Sequence, residues 1–200
     1  MKTFGGLMKF RFILFGILVL SPLSFADHIS DLEASATKGD MVAQSSLGRR
    51  YYVGDGVKKD PVKAEAWFTL AAKQGDPLSQ TILGHMYYYG NDGIKQDYNK
   101  AAELLLPASK KGIQEAEAIM GLMYLQGVGV KQSYHTASKL FTSAANKGEP
   151  MAQYNLGLMY AKGDGVRQSY SVAKEYFGMA CDNGMQQGCT EYKRLHLEGY

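Results

Sequence analysis

The sequence predicts an all-α fold, a right-handed α-α superhelix of stacked helical hairpins. Three observations predict it. A Leu-Gly pair recurs at Leu47-Gly48, Leu83-Gly84, Met120-Gly121 (with Met for Leu) and Leu156-Gly157, its glycines 36, 37 and 36 residues apart. Around each pair, apolar or small residues return every four positions, the spacing of one helix face. A glycine loop and a helix-opening Asp or Ser then follow each stretch. A period of this length means one two-helix unit copied in tandem, each copy burying its apolar face on the next.

The first 26 residues read as a cleavable secretory signal. Lys9 and Arg11 precede an apolar run, Phe12 to Leu20, broken only by Gly16. Ser21-Pro22 breaks it, and Ser24-Phe25-Ala26 supplies small residues for a cut after Ala26. The run is short for a bilayer span, which needs about 20 apolar residues. Met1 and Met8 both serve as possible starts. The cut removes Lys2, Lys9 and Arg11, so 22 basic residues become 19, against 19 acidic ones. The formal charge of +3 thus belongs to the leader. The mature chain lacks the basic excess of a nucleic-acid binder, and no nucleic-acid partner is expected.

The units run over residues 41–76, 77–113, 114–149 and 150–185. In the first helix, Ala43, Ser79, Ala116 or Ala152 leads by four residues to Leu47, Leu83, Met120 or Leu156. Four more bring Tyr51, Tyr87, Tyr124 or Tyr160. The glycine beside each Leu or Met leaves room for a neighbouring helix, which accounts for a residue costing about 1 kcal/mol inside a helix. The first helix ends at Gly54-Asp55-Gly56, Gly90-Asn91-Asp92-Gly93, Gly127-Val128-Gly129 or Gly163-Asp164-Gly165. The second loop holds the extra residue. Val57, Ile94, Val130 or Val166 follows, an apolar residue where a phosphate cradle would need a Lys-Ser/Thr pair.

Second helices open at Asp60, Asp97, Ser133 and Ser169, side chains that accept from orphan amides. Pro61 takes the first helical position. Ala64, Ala101, Ala137 and Ala173 alternate with Trp67-Phe68, Leu104-Leu105, Leu140-Phe141 and Tyr176-Phe177, small against large, so that helices interlock. Gly75, Gly112, Gly148 and Gly184 close them. Pro107 removes the amide bond to Glu103 and is expected to kink or shorten the last turn of its helix. Arg50 stands where other units have Met86, Met123 and Met159, expected to be half-buried. It is expected to snorkel at the open N-terminal side or meet an acidic group.

Cys181 and Cys189 are the two cysteines. In an exported chain they are expected to form a structural disulfide. Two cysteines without histidine at ligand spacing make no zinc site, and neither a metal nor a cofactor is expected.

The pattern A-x(3)-L-G-x(2)-Y, G-x-G-V, A-x(2)-W/Y-F and A-A-x(2)-G resembles the Sel1-like repeat, a relative of the tetratricopeptide repeat, over residues 41–185. The resemblance implies an incomplete N-terminal capping unit at 27–40 and a C-terminal capping helix at 186–200. Ala180 to Cys189 resembles the cysteine-rich secreted branch. There a Cys late in one second helix bonds a Cys early in the next first helix, which would staple the last junction.

That branch is associated with penicillin binding and weak β-lactam hydrolysis. Ser171-Val172-Ala173-Lys174 has the Ser-x-x-Lys spacing, but no Ser-Asp-Asn or Lys-Thr-Gly accompanies it. Among His28, His85, His135 and His196, His85 is set apart by following a Leu-Gly pair. No catalytic residue is expected.

In tetratricopeptide-like arrays the first helices line the concave face. By that likeness the candidate protein-binding residues are Ser45, Arg49 and Tyr52; Thr81, His85, Tyr88 and Tyr89; Ala118, Leu122 and Leu125; Tyr154, Leu158 and Lys162. Tyrosine and arginine favour interface anchors, although Tyr52 and Tyr88 equally suit packing on the adjacent repeat. The reading is an exported interaction module, periplasmic or secreted. It acts as a scaffold, adaptor or inhibitor that grips a protein or peptide of the cell envelope. A cell-wall or β-lactam hydrolase and a secreted host-interaction factor are the alternatives.

Overall fold

A computed structural model describes residues 22–90 and 93–200, with side chains from Ile29 onward. It holds ten helices and no strand among the described residues. They are α1 Pro22–Thr37, α2 Met41–Val53, α3 Pro61–Lys73, α4 Pro77–Tyr89, α5 Tyr98–Lys110, α6 Gln114–Gln126, α7 Tyr134–Asn146, α8 Pro150–Lys162, α9 Tyr170–Asp182 and α10 Gln186–Leu197. Most of the expected signal segment, residues 1–21, lies outside the described residues, as do Asn91 and Asp92 of the second glycine loop. Helix α1 starts at Pro22, ahead of the expected cut.

Helices pair as hairpins α2–α3, α4–α5, α6–α7 and α8–α9, and each second helix packs on the first helix of the next unit. First helices also touch, α4 with α6 and α6 with α8, while no comparable contact joins second helices among the described residues. The array therefore curves with its first helices inside.

Local chemistry explains the uniform units. Asp60, Asp97, Ser133 and Ser169 accept from the amides of Lys63, Lys100, Thr136 and Val172, capping α3, α5, α7 and α9. The cap residue's own amide returns to the Tyr51, Tyr87, Tyr124 or Tyr160 carbonyl at 2.8–2.9 Å, which locks every loop. Asp40 and Asp76 cap α2 and α4 in the same way, whereas α6 and α8 start without a side-chain cap. Pro107 does not shorten its helix: α5 keeps the 13 residues of α3, α7 and α9. Only one turn follows the proline, and packing against α4 and α6 holds it.

Each hairpin is keyed by its helical glycine. A Cβ on Gly84 would lie 2.4 Å from Leu105, and one on Gly121 would lie 2.6 Å from Phe141. Phe68, Leu105, Phe141 and Phe177 are fully buried against these glycines. Met86, Met123 and Met159 are fully rather than half buried, because their row faces the junction between units. Arg50 instead meets Asp55, Nη1 to Oδ2 at 3.4 Å.

A polar ladder crosses the junctions. Gln44, Gln80 and Gln153 donate from Nε2 to the carbonyls of Ala36, Ala72 and Ala145, each eight residues back, at 3.0, 3.3 and 3.1 Å. These carbonyls end the preceding second helix, where intrahelical donors run out. Gln44 Oε1 accepts from Gln74 (2.8 Å) and Gln153 Oε1 from Asn183 (3.0 Å). At the second junction Lys111 donates to the Gly75 carbonyl (3.0 Å), and the buried Gln80 Oε1 has no partner. The third has Glu117, 7% exposed at its side chain, paired with Lys147 at 2.8 Å and Ser143 at 2.9 Å. The last has Cys189, bonded to Cys181, again eight residues back, with the Cα atoms 4.6 Å apart. The expected disulfide thus stands where three other junctions use an amide and one a carboxylate.

Among the described residues no helix is long and apolar enough to cross a membrane.

Candidate functional site

The inner face begins with exposed residues on the first helices of the first two repeats. Arg49 on α2 is exposed and forms no ion pair among the described residues. On the first helices of the first two repeats, large apolar side chains face solvent: Val42 (69% exposed) and Val53 (61%) on α2, Leu78 (51%) and Tyr89 (45%) on α4. They occupy two repeat positions, the second and last residues of the first helix. The same positions farther along hold Glu115 and Met151, and Gln126 and Lys162. At these two positions the exposed large apolar residues therefore fall in the first two repeats.

Val42, Val53 and Leu78 are absent from the residues predicted by sequence. Their signal was present: Val42 pairs with Leu78 in register, and Val53 with Tyr89. The prediction instead emphasised rows that pack. Thr81, Tyr88 and Ala118 are buried and open to no partner. The row of Ser45, Thr81 and Ala118 turns toward the neighbouring helices. Ser45 donates to Asp76 at 2.8 Å and accepts from Ser79 at 3.1 Å, joining α2 to α4. Thr81 bonds its own helix at the Pro77 carbonyl (2.8 Å). Tyr88 donates to Gln126 Oε1 at 2.9 Å and sits edge-on to Tyr98 at 5.6 Å. Burial, helped by the neighbouring Tyr89, pushes its hydroxyl up to about 12.

The other predicted residues are partly open. Tyr52 lies edge-on to Phe68 at 6.3 Å and Tyr154 against Phe177 at 5.6 Å. His85 is half-buried, its ring 4.6 Å from that of Tyr89. Burial lowers its pKa, favouring the neutral imidazole. The Tyr89 hydroxyl reaches the Met151 sulfur at 3.9 Å, spanning α4 to α8 across the curve. Leu122, Leu125 and Leu158 are half-buried, and Lys162 is exposed. Leu125, Asn155, Leu158 and Lys162 line a cavity of about 210 Å³ with Asp164 at its rim.

The outer side carries a second hollow of about 440 Å³ between α3, α4 and α5, floored by Leu83 and Leu104. Of its lining, Tyr87 donates its hydroxyl to Glu65, and Lys100 sits 5.0 Å over the Tyr87 ring.

The Ser-x-x-Lys pair is not assembled for catalysis. Ser171 is exposed in the first turn of α9, and the Lys174 amine donates to the Tyr200 carbonyl. Among the described residues no group of three or more His, Cys, Asp or Glu could hold a metal ion.

Against known protein families, the chain matches the Sel1 repeat at residues 42–76, 77–113, 114–149 and 150–185. Among solved structures, it is 34% identical to c5321, a protective antigen of uropathogenic Escherichia coli strains with an SLR fold. That match covers 86% of this chain and 36% of that one, with a TM-score of 0.77. A Sel1 repeat protein from Oxalobacter formigenes is 29% identical over 80% of this chain and 63% of its own, with a TM-score of 0.73. Helicobacter pylori cysteine rich protein B, 23% identical over 68% of this chain and 98% of its own (TM-score 0.51), shares the fold. The chain spans about a third of the first of these proteins and under two thirds of the second. No curated protein matches it.

Proposed function

Since the chain belongs to the Sel1 repeat family, we propose that it is an exported binding module that grips a protein or peptide of the cell envelope on its inner face. One observation carries this reading: Val42, Val53, Leu78 and Tyr89 are exposed on the first helices of the first two repeats, which also carry unpaired Arg49, on a fold typical of protein–protein interaction modules. The apolar residues supply burial on docking, and Arg49 supplies a charged fork for an acidic group. Later repeats extend the groove with Leu122, Leu125, Leu158 and Lys162. An inhibitor, an immunity-type binder or a scaffold would all use such a surface.

Export is supported by the Lys9 to Ala26 segment and the Cys181–Cys189 disulfide. The description of the 34% identical c5321 as a protective antigen agrees with an exposed location. Fractionation tests this directly: mature protein cut after Ala26 is expected outside the cytoplasm, and an uncut cytoplasmic chain would refute it.

A photo-crosslinking residue placed at Val53 or Leu78 is expected to trap an envelope protein, while one at Leu70 on outer α3 is not. Arg49→Ala with Val53→Ser should abolish the trapped product without lowering Tm. Equal trapping from both faces, or trapping that survives the double change, would reject the inner face.

A further inference from the structure

The hollow of about 440 Å³ between α3, α4 and α5 sits where the repeat changes. Its lining includes Ala72, Leu83, Tyr87 and Leu104, one residue from each of four repeat positions. At the first junction the same positions hold Ala36, Leu47, Tyr51 and Trp67, which pack as one cluster. At the fourth they hold Ala145, Leu156, Tyr160 and Tyr176, again one cluster, with the Tyr176 ring stacked on that of Tyr160 at 5.7 Å. Two junctions thus fill this place with an aromatic ring of the chain itself, and the second has only Leu104. The third also has a leucine, Leu140, but there Leu106 replaces Thr69 and adds an apolar side chain on the preceding helix.

The place is built to hold a ring. Its floor is apolar and buried at Ala72 and Leu83. Its volume falls within the ~300–1,000 Å³ of small-ligand pockets. The Lys100 amine 5.0 Å over the Tyr87 ring is no obstacle. At the first junction Lys63 sits 5.2 Å over Tyr51 in the same way, with Trp67 packed beside them.

The charged lining selects the ligand's sign. Lys73 and Lys100 stand against one acid, Glu103. Lys73 is exposed and makes no ion pair or hydrogen bond among the described residues. Where the chain supplies the ring itself, the position of Lys73 holds the uncharged Thr37 or Asn146. We infer that the hollow binds a small aromatic carboxylate, its ring in the place that Trp67 and Tyr176 take at their own junctions and its acid group toward Lys73. The inference does not rest on the inner-face reading, since none of these residues belongs to that face.

The probe is indole-3-acetate, titrated into the mature protein and followed by amide and methyl NMR. Saturable binding is expected, with shifts concentrated at Ala72, Leu83 and Leu104. Neutral indole should bind about threefold more weakly, the size of an exposed ion pair, and cationic tryptamine about tenfold more weakly. Lys73→Gln with Lys100→Gln should weaken indole-3-acetate about threefold. Lys110→Gln, the same repeat position one unit on and outside the hollow, should leave its affinity unchanged. Leu104→Trp gives the second unit the ring of the first and should abolish binding, with Tm no lower than the parent's. Absence of saturable binding, shifts centred on another face, or tryptamine binding as tightly as indole-3-acetate would each overturn the inference. So would undiminished binding by Leu104→Trp, or a lower Tm for it. A capped Gly-Asp-Trp-Gly peptide binding more tightly than indole-3-acetate would replace the small ligand with a protein side chain.

Discussion

The third junction offers a quantitative test of the ladder. Glu117 is 7% exposed at its side chain and Lys147 38%, with 2.8 Å between charged atoms. Lys147→Met removes the ammonium but keeps most of its stem, leaving a buried carboxylate with only the Ser143 hydroxyl. Breaking a buried pair from one side costs about 3–5 kcal/mol. The exposure of Lys147 and the surviving hydroxyl reduce this to about 2–3 kcal/mol, or a Tm lower by about 5–10 °C for a chain of this size. Glu117→Gln in the same background removes the stranded charge and should recover at least ~1 kcal/mol. Glu117→Gln with Lys147→Asn recreates the pair that Gln153 and Asn183 form one unit later. It should return to within about 1 kcal/mol of the parent. Urea unfolding of the parent and these variants, at low and high salt, measures each value. The reasoning fails if Lys147→Met lies within 0.5 kcal/mol of the parent, a threshold of about the size seen at ordinary surface sites. It also fails if Glu117→Gln does not relieve Lys147→Met.

Three further outcomes are expected. Replacing Cys181 and Cys189 by Ser removes a loop of about eight residues, worth about 2.5 kcal/mol in the chain-entropy model; hydrogen exchange should quicken in α10 and stay unchanged in α2–α5. Gly129→Ala places a Cβ 2.3 Å from the Tyr98 carbonyl oxygen at φ +67°, whereas Gly84→Ala meets the buried Leu105 side chain (Cγ at 2.4 Å) and no backbone, without a left-handed φ. Gly129→Ala should therefore cost at least ~1 kcal/mol more, read by thermal melting. Burial pushes the Asp76 carboxyl up, but bonds from the Ser79 amide and hydroxyl, the Ser45 hydroxyl and the Leu78 amide outweigh it and hold its pKa low. Its stabilisation is complete above the ordinary carboxylate pKa of about 4 and is lost as pH falls through the depressed value. A cost of about 1–2 kcal/mol for Asp76→Ala at pH 7 should thus shrink steadily in melts below pH 4.

The hairpins were legible because their determinants are local and repeated. Ala43, Leu47 and Tyr51 define a face by spacing alone, and Asp60 or Ser133 marks a helix start by chemistry alone. The ladder was not legible, although Gln44, Gln80 and Gln153 recur in register. A glutamine in a helix looks solvated until the carbonyl eight residues back is known to lie beyond a turn. The inner face was half legible. Arg49, Tyr89 and Lys162 are open, but Tyr88 and Thr81 belong to rows whose aim depends on how closely neighbouring first helices approach. Pattern within one helix does not contain that distance.

The five junctions are joined by unlike fasteners: amides at the first, second and fourth, an ion pair at the third, sulfur at the last. Each answers to a different feature of the surroundings. Only the last depends on a redox-sensitive bond, and only the third on paired charges. Near-identical units are therefore not held to one another by identical means.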